Sequence, residues 1–275
     1  MGQLGIQPLT PVIGAKVDGV DLRGPVSAAT LHEIEQALLE HLVLLFRDQD
    51  ITPEQQLDFG RNFGQVYCPP IARSADGYPE LMLLDQSTPR GAGADNWHYD
   101  ATFMPRPPLG AILKAVQLPR FGGDTCFANM TAAYEALSPA LRSLLDGLTA
   151  VHDMTARLRV AIDRGISSDD FDELRAQWPP IEHPVVRTHP VTGRKALFLN
   201  YNTGSQLKGV TRSENDLLLP FLFDHIRSPE FQCRIRWEPN SVAFWDNRCV
   251  QHIGVPDYSE RRVMHRVTID GDEPY

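Results

Sequence analysis

A histidine and an aspartate lie two residues apart in the segment NWHYDATF, at His98 and Asp100. In an extended segment, residues i and i+2 point to the same face of the chain. An imidazole and a carboxylate on one face, joined by a third ligand from elsewhere, can occupy one side of an octahedral metal and leave three positions open. The spacing therefore predicts a metal site, although a surface turn with a His–Asp hydrogen bond has the same spacing.

The C-terminal segment RRVMHRVTI has the alternation of a β-strand. In such a strand Arg262, Met264 and Arg266 share one face, with the two arginines roughly 13 Å apart along the strand, and His265 faces the other way. Two guanidinium groups on one face suit two separate small anions. The alternative is a pair of arginines that bind acidic neighbours on a solvated face.

A third candidate is Thr125, which follows the turn at Gly122 and Gly123 in the segment RFGGDTCFANM. A threonine hydroxyl can donate a hydrogen bond to a carboxylate that an arginine also holds. By itself the segment predicts only a turn followed by a strand.

The composition of the chain limits its possible binding partners and its cellular compartment. The chain has 275 residues and a formal net charge of -9, which disfavours nucleic acid and anionic membranes as main partners. The four cysteines form no CxxC motif, so reduced thiols are expected. No stretch has the pattern of a signal peptide or the length of a membrane span, and the sequence predicts a cytoplasmic protein.

Short predicted strands outnumber the predicted helices. Helices are expected over residues 28–42, 51–64, 131–148 (with a restart at Ser138-Pro139) and 211–228. A strand is expected over 43–49, and β-rich segments are 79–85, 110–118, 124–129, 195–201, 233–247 and 261–269. This pattern favours a mainly β fold, a sandwich or jelly roll with flanking helices. The polar segment around 155–180 is weakly patterned and is expected to be an insertion or mobile loop.

Several motifs together resemble one known family. In chain order they are IGAKVDGVDL, LFRDQDITPEQQ, NWHYDATF, GGDTCFAN, AAYEALSP, HPVVRTHPVTGRKALFLN, and WDNRCVQH through RRVMHRVTIDGDEP. They resemble the taurine dioxygenase (TauD/TfdA) family of Fe(II)- and 2-oxoglutarate-dependent dioxygenases, over nearly the whole chain. The resemblance implies a double-stranded β-helix, a cupin-like jelly roll, as a single domain over residues 1–275.

The resemblance also implies the cofactor, the reaction, the oligomeric state and the roles of six residues. It implies Fe(II), 2-oxoglutarate and O2 as cofactor and cosubstrates, and hydroxylation of a small organic anion with release of succinate and CO2. It implies self-association into a homo-oligomer. The implied iron ligands are His98, Asp100 and His252; the implied 2-oxoglutarate contacts are Thr125 and Arg262; and the implied contact to the substrate anion is Arg266.

This chain differs from taurine-using members of the family at positions that are expected to contact the substrate. Taurine-using members are expected to contact taurine through polar or aromatic residues at three positions, and this chain has Pro69, Ala72 and Ala94 there. Those members usually have a threonine at the position of Tyr99. A pocket that loses hydrogen-bond partners loses its affinity for the polar ligand. Besides a sulfonate such as taurine or a bulkier relative, an alkyl sulfate ester or an aryloxyalkanoate is therefore a candidate substrate.

Two rival functions remain at this point. One is a non-catalytic, cupin-like protein that binds a metal or ligand. The other is a zinc hydrolase, which needs a general base beside the metal.

Other conspicuous residues are interpreted as structural: Trp97, Phe244 and Trp245 as core aromatics beside the metal, and His183 and His189 as hydrogen-bonding groups. Lys114 has no assigned role.

Overall fold

The computed structural model describes residues 4–87, 95–163 and 170–275. Within these ranges no helix combines the length and the apolar character needed to cross a membrane. The helices are α1 (Ala28–His41), α2 (Pro53–Arg61), α3 (Met130–Glu135), α4 (Pro139–Leu145), α5 (Thr155–Asp163), α6 (Phe171–Gln177) and α7 (Arg212–His225). The strands are β1 (Gly5–Pro8), β2 (Ala15–Asp18), β3 (Val43–Phe46), β4 (Val66–Tyr67), β5 (Ser74–Ala75), β6 (Tyr78–Gln86), β7 (Gly110–Gln117), β8 (Thr125–Asn129), β9 (Thr149–His152), β10 (Ile181–Pro184), β11 (Val186–Thr188), β12 (Lys195–Leu197), β13 (Gln206–Leu207), β14 (Gln232–Ile235), β15 (Val242–Asp246), β16 (Val250–Gly254) and β17 (Arg262–Ile269).

One large sheet forms the main layer of the described chain. Its strand order is β1-β2-β3-β15-β7-β17-β6-β5, and β4 also pairs with β17. Strands β2 and β3 run parallel, whereas β17 is antiparallel to both of its long neighbours, β6 and β7. Strand β17, which contains both predicted anion-binding arginines, therefore lies inside the sheet.

Smaller sheets cover one face of the large sheet. They have the orders β14-β8-β16, β10-β9-β13 and β11-β12. Apolar side chains of β8, β14 and β16, such as Phe127, Ile235 and Val250, pack with Trp245 and Met264 of the large sheet in one core. Because strand residues alternate between faces, the neighbours of Met264 two positions away, Arg262 and Arg266, also point to this inner side.

Helices α1 and α2 cover the other face of the large sheet. Their buried residues Ile34, Leu57 and Phe59 pack with Phe46 and Phe244 in a second core. Helix α2 begins with the predicted capping box, because Thr52 accepts from the N–H of Gln55 and the Gln55 side chain accepts from the N–H of Thr52. The prediction of a mainly β jelly roll with helices outside is confirmed.

Two segments expected to be extended are shorter than expected. In NWHYDATF only His98 pairs, through an isolated bridge to His252, and Ala101 has a positive φ of 48°. The extended segment is short because the chain turns directly after Asp100. In KALFLNY the strand ends at Leu197, and a 3₁₀ turn follows over Tyr201–Thr203. Asn200 begins this turn by accepting from the N–H of Asn202.

The segment around 155–180 contains two helices rather than a continuous loop. Helix α5 follows β9, and helix α6 begins at the N-cap Asp170, whose side chain accepts from the N–H groups of Asp172 and Glu173. Short polar helices have weak periodicity, so composition alone did not reveal them. Residues 164–169 lie outside the described ranges, and the insertion and its mobility stay predictions.

A buried histidine links β9 to the segment after Asp100. The Nδ1 atom of His152 lies 2.9 Å from Oγ1 of Thr102 and 3.1 Å from Oγ1 of Thr203. Burial, and to a smaller extent nearby His183, lower the pKa of His152 to about 3. A histidine in an unfolded chain titrates near 6.5, so the unfolded state binds this proton at a higher pH than the folded state does.

We predict that the unfolding free energy of the metal-free protein decreases as pH falls from about 6.5 towards 3, because unfolding exposes a ring that takes up a proton. His152→Asn cannot titrate, so it should make this decrease shallower by up to about 1.4 kcal/mol per pH unit. Urea unfolding at several pH values measures the slopes. His32→Asn, at an exposed position on α1, is the control. Equal slopes for His152→Asn and the wild type would contradict the prediction.

Candidate metal and cosubstrate site

Two backbone hydrogen bonds hold His98 beside His252. The N–H of His98 donates to the carbonyl of His252 at 3.1 Å, and the N–H of His252 donates to the carbonyl of His98 at 2.9 Å. His252 lies in β16, where it pairs in register with Phe127 of β8. The two imidazole centroids are consequently 4.3 Å apart, although the residues are far apart in sequence.

Asp100 completes a group of three metal-binding side chains. Its Oδ1 lies 3.9 Å from Nε2 of His98, and its Oδ2 lies 3.9 Å from Nε2 of His252. One ligand atom from each residue lies within 4.8 Å of the other two. Imidazole and carboxylate ligands bind first-row divalent metals at about 2.0–2.2 Å, so these three atoms are close enough to share one ion.

The protonation states of the two histidines suit a metal. Nδ1 of His98 lies 2.7 Å from the carbonyl oxygen of Asn96, which can only accept, so Nδ1 carries the proton and Nε2 has the free lone pair. Burial lowers the pKa of His98, and burial together with His98 lowers the pKa of His252 to about 3. Both rings are therefore neutral at neutral pH.

The Asp100 carboxylate is ionised and only partly satisfied. Burial would raise its pKa, but the neighbouring guanidinium of Arg266 outweighs burial and lowers it. Nη1 of Arg266 donates to Oδ1 at 2.7 Å, whereas the buried Oδ2 has no hydrogen-bond partner among the described residues. A buried carboxylate oxygen without a partner is costly. Its position opposite the imidazole of His252 fits a bound cation.

Aromatic side chains surround this group. The ring of Trp245 lies 4.8 Å from that of His252, and the ring of Phe127 lies 6.0 Å from it. Tyr99 belongs to the core, because its hydroxyl donates to the carbonyl of Leu197 at 2.6 Å and its residue is 1% exposed. Phe244, predicted to lie beside the site, is instead in the second core under α2.

Arg262 lines a second, smaller cavity, and Thr125 is the strand partner of another residue in its wall. Nε of Arg262 donates to the carbonyl of Gly123 at 3.0 Å, and in the described part of the chain no carboxylate pairs with its terminal nitrogens. Gly254, which is in register with Thr125, lines the same cavity as Arg262. Trp237, which sequence reasoning missed, donates through Nε1 to Oγ1 of Thr125 at 3.0 Å. The Thr125 hydroxyl proton is therefore available to another acceptor.

A cavity of about 180 Å³ opens beside the three metal-binding side chains. His98, Asp100 and Arg266 line it, and Gln86 lines both this cavity and the cavity at Arg262. Arg266 is 8% exposed, and its Nε has no hydrogen-bond partner among the described residues. The two arginines of β17 thus line two cavities that have Gln86 in common, which agrees with the two separate anion sites predicted from their shared face.

Sequence reasoning missed most of the wall of this cavity. Arg157 of α5 is a second cation there, and burial lowers its pKa while Asp95 opposes the shift. The other members are apolar or neutral: Met82, Leu84, Tyr99, Ala101, Phe103, Met154, Asn200, Asn202 and Thr203. They come from β6, the segment around Asp100, the residue before α5 and the 3₁₀ turn with the residue before it, and only the folded chain brings these segments together.

The two described positions that were singled out for taurine contacts do not line the cavity. Neither Pro69 nor Ala72 lines the cavity in the described part of the chain, and Ala94 lies outside the described residues. His265 and Lys114 pair in register across β17 and β7, and neither lines the cavity.

A second group of potential metal ligands, His189, Asp246 and Cys249, is a hydrogen-bond network instead. Nδ1 of His189 accepts from two backbone N–H groups, so Nε2 is protonated and donates to Asp246 at 2.9 Å. Arg248 also donates to both oxygens of Asp246, at 2.8 and 2.6 Å. His183 similarly contacts the carbonyl of Thr102 at 2.9 Å. The structural interpretation of both histidines agrees with these contacts.

Comparisons with known proteins agree with this geometry. The family described as "Taurine catabolism dioxygenase TauD, TfdA family" matches residues 5–268. An alpha-ketoglutarate-dependent sulfate ester dioxygenase of Pseudomonas putida is 37% identical over 99% of this chain and 91% of that protein. An alpha-ketoglutarate-dependent 2,4-dichlorophenoxyacetate dioxygenase of Cupriavidus pinatubonensis is 36% identical over 95% of this chain and 96% of that protein.

A solved structure shows the same fold. The crystal structure of a taurine dioxygenase from Burkholderia xenovorans superposes with a TM-score of 0.83 and 34% identity, over 98% of this chain and 92% of that chain. The resemblance that the sequence motifs indicated is thereby confirmed. The chain belongs to the TauD/TfdA family of dioxygenases, which use Fe(II), O2 and 2-oxoglutarate (alpha-ketoglutarate).

Proposed function

We propose that this dioxygenase hydroxylates a small organic anion with an apolar tail, either an alkyl sulfate ester or a sulfonate larger than taurine. The observation that carries the proposal is one cavity whose wall combines two of the three metal-binding side chains, His98 and Asp100, with the buried Arg266 and apolar residues. The whole of residues 1–275 acts as one catalytic domain, and we expect the chain to form a homo-oligomer.

His98, Asp100 and His252 are the proposed iron ligands. Their two neutral imidazoles and one carboxylate match the facial triad of non-haem Fe(II) oxygenases, which leaves positions for other ligands. Iron with 2-oxoglutarate and O2 supplies the oxidising power to hydroxylate a C–H bond, with succinate and CO2 as coproducts. The protein positions the reactants and keeps water from the site.

Arg262 and Thr125 are the proposed contacts to the distal carboxylate of 2-oxoglutarate. A buried guanidinium that has no carboxylate partner among the described residues can accept a carboxylate from a ligand. Thr125 can donate its hydroxyl proton to the same carboxylate, because Trp237 already donates to its oxygen. Gln86, shared by both cavities, lies between this contact and the substrate.

Arg266 is the proposed contact to the substrate's anionic group. Its guanidinium has five N–H donors, and one of them is used by Asp100. The unpartnered Nε and the remaining donors can bind a sulfate or sulfonate near the metal. The anion then fixes the carbon next to it close to the iron ligands, where hydroxylation of that carbon leads to release of the sulfur oxyanion and an aldehyde.

The cavity wall favours an apolar tail over the ammonium group of taurine. Met82, Leu84, Phe103 and Met154 provide apolar surface. Asp100 is the one carboxylate among the described lining residues, and it is engaged by Arg266. The absence of another carboxylate from this described wall also disfavours a zinc hydrolase, which needs a general base.

A substrate panel tests the proposal. With Fe(II), 2-oxoglutarate and O2, hexyl sulfate or hexanesulfonate should stimulate succinate formation and release of sulfate or sulfite above the rate without substrate, because the apolar wall binds the tail. Taurine should stimulate it little. His98→Ala is the control and should lose turnover. Stronger stimulation by taurine would contradict the cavity interpretation, and stimulation by 2,4-dichlorophenoxyacetate alone would assign an aryloxyalkanoate instead.

The two arginines of β17 should have separable effects. Arg266→Gln should raise the KM for the sulfur-containing substrate about 10- to 100-fold, because one charge-assisted hydrogen bond contributes about 1.5–3 kcal/mol. It should largely spare 2-oxoglutarate decay without substrate. Arg262→Gln is the matched variant and should raise the KM for 2-oxoglutarate instead. Steady-state kinetics with each ligand varied measures both effects, and the opposite pattern would show that the two roles are exchanged.

A further inference from the structure

The segment that contains Asp100 does not belong to a regular sheet. His98 forms one isolated bridge, and the chain then turns at Ala101, where φ is positive. Buried backbone N–H and C=O groups need hydrogen-bond partners, and here the ladder of a neighbouring strand does not supply them. Asp100 is 5% exposed, so its backbone has little access to water. Another group must hold it.

The side chain of Asn247 supplies these hydrogen bonds. Its Oδ1 accepts from the N–H of Asp100 at 2.9 Å, and its Nδ2 donates to the carbonyl of Asp100 at 3.2 Å. Nδ2 also donates to the carbonyl of Pro108 at 3.2 Å. One side chain therefore contacts the peptide groups on both sides of the Asp100 Cα atom, which restricts the backbone dihedrals that aim its carboxylate.

Asn247 is itself rigidly placed. It is completely buried, it follows the last residue of β15, and its N–H donates to the carbonyl of Leu109 at 2.8 Å. The preceding residue, Asp246, is bound by Arg248 and His189. Strand β16 begins three residues later and contains His252. Asn247 therefore connects the short turn before one proposed ligand directly to the backbone of another.

We propose that Asn247 is a positioning residue that sets the metal affinity of the site by holding Asp100. The inference rests on the proposed function, since it takes Asp100 to be a metal ligand. Asn247 does not itself line the cavity, and its hydrogen bonds to Asp100 are to the backbone. Groups that orient metal ligands typically contribute 10- to 100-fold in affinity, roughly, even though they do not touch the metal.

Mn(II) binding to the apoprotein provides the test, with free Mn(II) measured by electron paramagnetic resonance. Asn247→Ala should raise the Kd for Mn(II) about 10- to 100-fold. Asn129→Ala is the matched control: Asn129 is also buried, and its side chain also forms three hydrogen bonds, to Val12, Thr131 and Ala132. This variant should lose comparable stability in urea unfolding but keep the Mn(II) affinity of the wild type.

A second variant covers the case in which Asn247→Ala does not fold. Asn247→Asp keeps the volume and the oxygen that accepts from the N–H of Asp100, and it removes the donated bonds. It should also weaken Mn(II) binding. Wild-type affinity in whichever Asn247 variant folds would overturn the inference, as would an equal loss in Asn129→Ala.

A third variant separates this inference from the proposed function. Asp100→Ala should lose Mn(II) binding if Asp100 is a ligand. Unchanged binding in Asp100→Ala would overturn the proposed function, and the inference with it. Loss of binding in Asp100→Ala together with wild-type binding in the Asn247 variants would overturn the inference alone.

Discussion

The pair of backbone hydrogen bonds between His98 and His252 is the contact on which the site depends. It joins a segment that is otherwise irregular to β16, a regular strand of the small sheet. Asp100 then reaches both imidazoles, because it follows His98 by two residues in a nearly extended segment. This bridge therefore brings the three side chains together, and the hydrogen bonds of Asn247 to Asp100 hold the same segment in place.

Charge inside the site differs from charge on the chain as a whole. The formal net charge is -9, yet Arg266 and Arg157 line the main cavity and Arg262 lines the adjoining one. Two anionic ligands and a divalent cation would be accommodated here in a buried environment where charges interact strongly. The acidic surface and the basic interior are compatible because Arg262 and Arg266 of β17 are buried and Arg157 of α5 is half-buried.

The alternation of a strand made the main features of the site predictable. The period of two correctly placed Arg262 and Arg266 on the inner face of β17, and it placed His265 on the other face. Capping signals located α2 through Thr52 and Gln55. The order of the family motifs identified the fold, because several motifs in sequence are more specific than any single one.

Other features depend on contacts between distant segments and could not be predicted. Asn247 and Trp237 have ordinary residue types in unremarkable positions, and their importance comes from partners at Asp100 and Thr125. Arg157 lies in a segment interpreted as an insertion or mobile loop, and the short polar helix that places it at the cavity lacks a clear apolar period. Tertiary packing, rather than local pattern, determines these three roles.

The central claim is that one iron binds His98, Asp100 and His252 beside a 2-oxoglutarate site at Arg262. The most direct measurement is an anaerobic titration of the apoprotein with Fe(II) and then 2-oxoglutarate, followed by visible absorption. The account predicts a metal-to-ligand charge-transfer band that saturates at equimolar iron and 2-oxoglutarate and that is absent in His252→Ala. Tight binding of Fe(II) without any such band on addition of 2-oxoglutarate would contradict it.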